Sequence, residues 1–65
     1  MIVTVNDESV EVEQDTTVAV LLDRLGLPHK GVAVALNWAV IPRSGWDTVL
    51  SDGARIEVVT AVQGG

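Results

Sequence analysis

The sequence predicts an α+β domain, a small mixed β-sheet packed on one main helix and followed by a flexible C-terminal diglycine tail. Three observations carry that expectation. The 65-residue chain is 48% apolar yet has no Phe or Tyr, so its core is aliphatic and Val-rich, a composition that favours strands. One segment has the i, i+3, i+4, i+7 spacing of an apolar helix stripe, through Val18, Leu21, Leu22 and Leu25. A β-rich run from Ile56 to Val62 then reaches within three residues of the end, leaving Gln63, Gly64 and Gly65.

Taken in order, Met1 to Val5 and Val10 to Glu13 read as the strands of a hairpin around Asn6-Asp7-Glu8-Ser9. The alternation of Val10, Glu11, Val12 and Glu13 gives the second strand one side towards the core and one towards water. Thr17 is a good N-cap for the helix, Gly26 a good C′ stop, and Pro28 prevents continuation. Val20 stands three residues after Thr17, where a capping box would want Glu or Gln, so that tie is missing. Val32 to Leu36 and Ala39 to Ile41 read as strands around Asn37-Trp38. An irregular stretch from Pro42 to Gly53 follows, with Asp52-Gly53 as a turn before the final strand, Arg55 to Val62. The order is ββαβ, a further strand segment, then β, with the main elements running ββαββ. There is no internal repeat, linker or low-complexity segment, so residues 1–65 form one domain, of which 62–65 are the projecting tail.

Composition narrows the function. A chain this short buries only ~60% of the surface that its unfolded form exposes, so a deep catalytic cleft is not expected. The absence of cysteine removes a disulfide framework, a thiolate nucleophile and a Cys-based zinc site. A net charge of −5, with basic residues only at Arg24, Lys30, Arg43 and Arg55, argues against nucleic acid and against anionic membranes. Asp7, Glu8, Glu11, Glu13 and Asp15 fall in the first fifteen residues, either as a solvated hairpin face or as a patch that steers a basic partner. No run approaches the ~20 apolar residues of a membrane span, and the N-terminal segment lacks the regions of a signal peptide, so a cytoplasmic chain is expected. His29, the only histidine, is read as a loop residue rather than a general base. Arg43 is read as an exposed charge at a strand end, or as a partner for an acidic surface.

Two features point outward. Gly64 and Gly65 cannot pack and adopt almost any backbone geometry, so they suit threading a narrow channel and presenting the terminal carboxylate to another protein's active site. A frayed end without a role is the bland alternative. The third and last strands are apolar on both faces, whereas one helix covers only one face. Ala33, Ala35, Val59 and Ala61, or their alternating neighbours, must therefore lie exposed as a docking surface or be covered by the Pro42 to Gly53 stretch.

The ordered set Val32-Ala33-Val34-Ala35-Leu36-Asn37, Val40-Ile41-Pro42-Arg43-Ser44 with Trp46, Asp52-Gly53, and Glu57 to Gly65 resembles the sulfur carrier proteins of thiamine biosynthesis, members of the ubiquitin-like β-grasp fold. Val5-Asn6-Asp7 and Thr17-Val18 to Leu22 fit as well, so the resemblance covers essentially the whole chain. It implies no catalytic residue and no bound cofactor or metal. An activating enzyme would adenylate the Gly65 carboxylate with ATP, sulfur from a donor such as a cysteine desulfurase would replace the adenylate, and the resulting thiocarboxylate would serve thiazole synthase. Val62, Gln63 and Gly64 would thread into the partner sites. The chain lacks a phosphate-cradling G-x-x-x-x-G-K-[ST] motif, in keeping with ATP binding elsewhere.

Two positions depart from the family: Val20, where Glu is frequent, and Trp38, where a small or polar turn residue is usual. Trp38 reads as a partner anchor or as a lid folded over the sheet. Three alternatives stay open: the small subunit of molybdopterin synthase, whose chains are usually longer and more aromatic; a ubiquitin-like modifier joined through Gly65 to lysine; and an interaction module with an inert diglycine.

Overall fold

The computed structural model describes residues 1–60. Its strands are β1 (Ile2–Val5), β2 (Glu8–Glu11), β3 (Val32–Leu36), β4 (Ala39–Ile41) and β5 (Arg55–Thr60), with helix α1 (Val18–Arg24) between β2 and β3 and a 3₁₀ turn at Arg43–Gly45. They form one five-stranded sheet in the order β2-β1-β5-β3-β4. β5 runs parallel to β1 and antiparallel to β3, so two hairpins flank a central last strand. This is the mixed β-grasp arrangement that the sequence implies, and the short segment Ala39–Ile41 is a full edge strand of it.

Both hairpins close on two residues in the left-handed region. Asn6 and Asp7 have φ of 48° and 71°, and Asn37 and Trp38 have φ of 50° and 74°. Paired positive φ values match the right-handed twist of the strands, and Asn tolerates them well. The first turn corrects one expectation. Its loop is Asn6-Asp7 rather than Asn6 to Ser9, which brings Glu8 opposite Val5 and starts β2 two residues earlier than its polar sequence indicates. The inward alternation survives, because Val12 remains buried beyond the strand end and its N–H bonds to the Met1 carbonyl at 2.8 Å.

The helix begins and ends as its sequence specifies. The Thr17 hydroxyl accepts from the Val20 N–H at 3.2 Å. The other free N–H groups of the first turn are taken up by the irregular segment, with Val18 donating to the Thr48 carbonyl at 3.2 Å and Ala19 to the Trp46 carbonyl at 3.1 Å. Tertiary contacts thus replace the missing capping box. At the other end, Gly26 (φ 72°) donates to the Asp23 carbonyl and Leu27 to the Leu22 carbonyl, a Schellman motif.

The core lies on one side of the sheet. Val18, Leu21 and Leu22 of the helix meet Val3, Val5, Val34, Ile56 and Val58 of the strands, all buried. The Pro42 to Gly53 stretch adds Trp46 and Leu50 to this same cluster and is tied to the helix start by the bonds above, by Leu50 N–H to the Thr16 carbonyl at 2.8 Å, and by a bridge between Thr17 and Val49. It therefore straps the helix side and leaves the opposite face of the sheet open. Among the described residues, no helix is long and apolar enough to cross a membrane.

Candidate sulfur-carrier surface

Strand alternation decides which residues the open face presents. Ile56 and Val58 point into the core, so Arg55, Glu57 and Val59 point the other way. The register sets Ala33 opposite Val59, Ala35 opposite Glu57, and Val40 opposite Ala35. Val59 is 64% exposed and Val40 76%, and Ala33 is exposed beside them. Of the expected surface residues, the structure brings Ala33, Ala35 and Val59 together. Ala61, Val62, Gln63, Gly64 and Gly65 lie outside the described residues.

This face extends towards the end of β5. Gly31, Val32, Ala33 and Val59 line an open depression where β3 begins and β5 finishes, with Val32 paired to Thr60. Val40 and Gly31 were not singled out from the sequence. Val40 was within reach of the sequence, because the two-residue turn read at Asn37-Trp38 sets the register that puts Val40 beside Ala35.

Trp38 belongs to the opposite end of the same face. It sits next to the start of β5, and Arg55 to Thr60 spans roughly 17 Å at ~3.3 Å per residue. The indole is 74% exposed, so it is no lid over the sheet. The Arg55 guanidinium lies 4.5 Å from the ring centroid and is itself paired with Asp7 and, at 3.5 Å, with Glu57. A left-handed conformation costs a non-glycine residue about 1–2 kcal/mol, and an exposed cation–π contact returns about 0.5–1 kcal/mol. Folding alone therefore gains little from an indole at this position.

The remaining candidates take structural places. His29 Nε2 approaches Asp23 Oδ1 at 2.8 Å, within ion-pair range though out of line for a hydrogen bond, and its ring meets the Trp46 ring edge-on at 5.6 Å. Arg43 is exposed just beyond the end of β4, as expected, with its guanidinium 5.5 Å from the Trp46 ring centroid. Asp52 Oδ1 accepts the Ile2 N–H at 2.8 Å, and Gly53 (φ 85°) donates to the Ile2 carbonyl at 2.8 Å, so this turn also latches the start of β1. Among the described residues, no three His, Cys, Asp or Glu side chains group as metal ligands would.

Comparison with known proteins agrees with this architecture. The ThiS family model matches residues 2–65. The chain is 31% identical over 61 residues to the sulfur carrier protein ThiS of Escherichia coli (strain K12), covering 92% of each chain. It superposes on the crystal structure of a thiamine biosynthesis protein (ThiS) from Geobacter metallireducens with a TM-score of 0.82 and 30% identity, covering 100% of both chains. An NMR solution structure of a thiamine biosynthesis protein from the same organism gives a TM-score of 0.81 at 32% identity, covering 100% of this chain and 88% of that one. Matched by the family model over residues 2–65 and by a solved structure along its full length, the chain belongs to the ThiS family.

Proposed function

We propose that this protein is a sulfur carrier of thiamine biosynthesis, a protein co-substrate whose working group is the carboxylate of Gly65. The observation that carries the reading is the match of the ThiS family model along residues 2–65, diglycine included. The open apolar face that leads to the end of β5 supports it.

The chemistry needs two stages because a carboxylate is a poor electrophile: resonance and negative charge both repel a nucleophile. An activating enzyme would join the Gly65 carboxylate to the α-phosphate of ATP, releasing pyrophosphate and leaving an acyl adenylate with a good leaving group. Sulfide then forms a C–S bond to the acyl carbon as the C–O bond to AMP breaks, giving a thiocarboxylate and AMP; a persulfide donor would instead give an acyl disulfide, which a second thiol must reduce, forming a disulfide with the donor cysteine as the thiocarboxylate leaves. The ultimate source is a donor such as a cysteine desulfurase. With no cysteine in the chain, the terminus is its only sulfur store. Thiazole synthase would accept the sulfur next.

In this reading Val62, Gln63 and Gly64 thread into the partner sites, glycine supplying the small cross-section that such a channel demands. Ala33, Ala35 and Val59, with Ala61 by alternation, form the docking surface. Both partners would use it, since each must take the same terminus. ATP belongs to the activating enzyme and not to this chain.

Deletion of Gly65 tests the reading. Thiazole formation in a reconstituted system should fall to background while the circular dichroism spectrum and melting curve stay as in the intact chain. Normal thiazole formation by the truncated chain would sink the proposal.

A further inference from the structure

The functional reading accounts for the Val59 end of the open face but not for the opposite end. There, an indole stands 74% exposed at the second position of a two-residue turn, with φ of 74°. Glycine satisfies that position without strain, so neither the turn nor the core asks for Trp38. Backbone strain retained without a folding benefit points to a use elsewhere. The side chain also has a contact that restrains it: Arg55 lies 4.5 Å from its ring centroid and pairs in turn with Asp7 and, at 3.5 Å, with Glu57. Trp and Arg are enriched at the few interface positions that carry binding energy, and a braced side chain loses little freedom on binding.

Position and charge limit the occupant to a protein that takes up the terminus, and the activating enzyme is the first to do so in the functional reading above. Arg55 shares its face with Glu57 and Val59, so Trp38 and Val59 mark the two ends of one continuous surface among the described residues. A protein that takes up the terminus and lies along this surface reaches Trp38. Two carboxylates, Asp7 and Glu57, pair with the one guanidinium that lies over the indole, and the chain carries a net charge of −5. A complementary surface is therefore an apolar slot framed by Lys or Arg.

We propose that Trp38, braced on Arg55, is a second anchor by which this carrier docks on the enzyme that activates Gly65, its indole entering an apolar slot with a basic rim. The inference rests on the functional reading above. It adds a contact at the Arg55 end of β5, roughly 17 Å along the strand from Thr60 at ~3.3 Å per residue.

The test uses the full chain labelled with 5-fluorotryptophan, whose ¹⁹F resonances report Trp38 and the buried Trp46 separately. On titration with the activating enzyme without ATP, the Trp38 resonance should change its chemical shift while that of Trp46 only broadens. Trp38→Gly, which keeps the turn, should bind at least about tenfold more weakly, and Trp38→Phe should recover part of the loss. An unshifted Trp38 resonance in a complex that forms, or full affinity in Trp38→Gly, overturns the proposal. So does a Trp38 shift that appears without enzyme as the chain is concentrated, because the occupant is then a second copy. The functional reading has its own readout: if the wild-type chain acquires no sulfur from an enzyme active on another carrier, that reading fails and this one with it. If sulfur is acquired but Trp38 is indifferent, only the anchor fails.

Discussion

The Asn6 side chain pairs with both backbone polar groups of Val58: Oδ1 accepts the Val58 N–H at 2.8 Å, and Nδ2 donates to the Val58 carbonyl at 3.2 Å. The β1 backbone turns away at this point, and the amide takes the place of the next strand residue beside β5. Asn6 also has φ of 48° and donates its own N–H to the Ile56 carbonyl at 3.0 Å. One residue thus closes the first hairpin and holds the half of β5 that leads to the C-terminal segment.

Replacing Asn6 by Ala should destabilise the domain by about 2–3 kcal/mol. Two partly buried hydrogen bonds are lost at about 1 kcal/mol each, and alanine tolerates the left-handed region less well. Asn6→Gly keeps the backbone geometry and should lose less. Hydrogen exchange locates the effect: the Val58 amide should lose protection in both variants, beyond the global change in stability.

Gly26 offers a cleaner backbone test. A Cβ built there meets nothing within 4 Å, so only the positive φ of 72° opposes a side chain. Gly26→Ala should cost about 1 kcal/mol or slightly more, measured by urea denaturation, with no change in the folded spectrum.

Trp46 fastens the irregular segment to the core and is 5% exposed. Truncation of a buried aromatic costs about 3–5 kcal/mol, a large share of what a 65-residue chain possesses. Trp46→Ala should therefore be largely unfolded at room temperature, with the loss of cooperative melting as the readout.

Val59→Asp should behave in the opposite way. Its side chain is 64% exposed and faces away from the core, so stability should change by less than about 1 kcal/mol. Affinity for the activating enzyme should fall, because a charge then sits in the middle of the proposed apolar contact. Unchanged affinity removes this part of the face from the docking surface.

Most of the fold was legible because local signals and the global arrangement agree. The Thr17 cap, the Leu21-Leu22 stripe and the Gly26 stop define the helix in sequence and in space, and β3 and β4 fall where their Val and Ala runs stand. The start of β2 was not legible, since Glu8 and Ser9 carry no strand signal and only the left-handed pair Asn6-Asp7 draws them into register. Nor could the sequence distinguish which side of the sheet Pro42 to Gly53 would cover. That depended on the free N–H groups of Val18 and Ala19, which hold the segment against the helix. Apolarity on both faces of β3 revealed an open surface, whereas β5 is mixed there, with Arg55 and Glu57 beside Val59, and the register adds Val40 to it and sets Trp38 at its far end.

The central claim is that the Gly65 carboxylate carries sulfur, and intact-mass measurement with fragmentation of the C-terminus tests it most directly. After incubation with the activating enzyme, ATP and a sulfur source, one terminal oxygen should be exchanged for sulfur, and the change should map to Gly65. An unmodified terminus, with the same enzyme shown to act on a known carrier, would contradict the account.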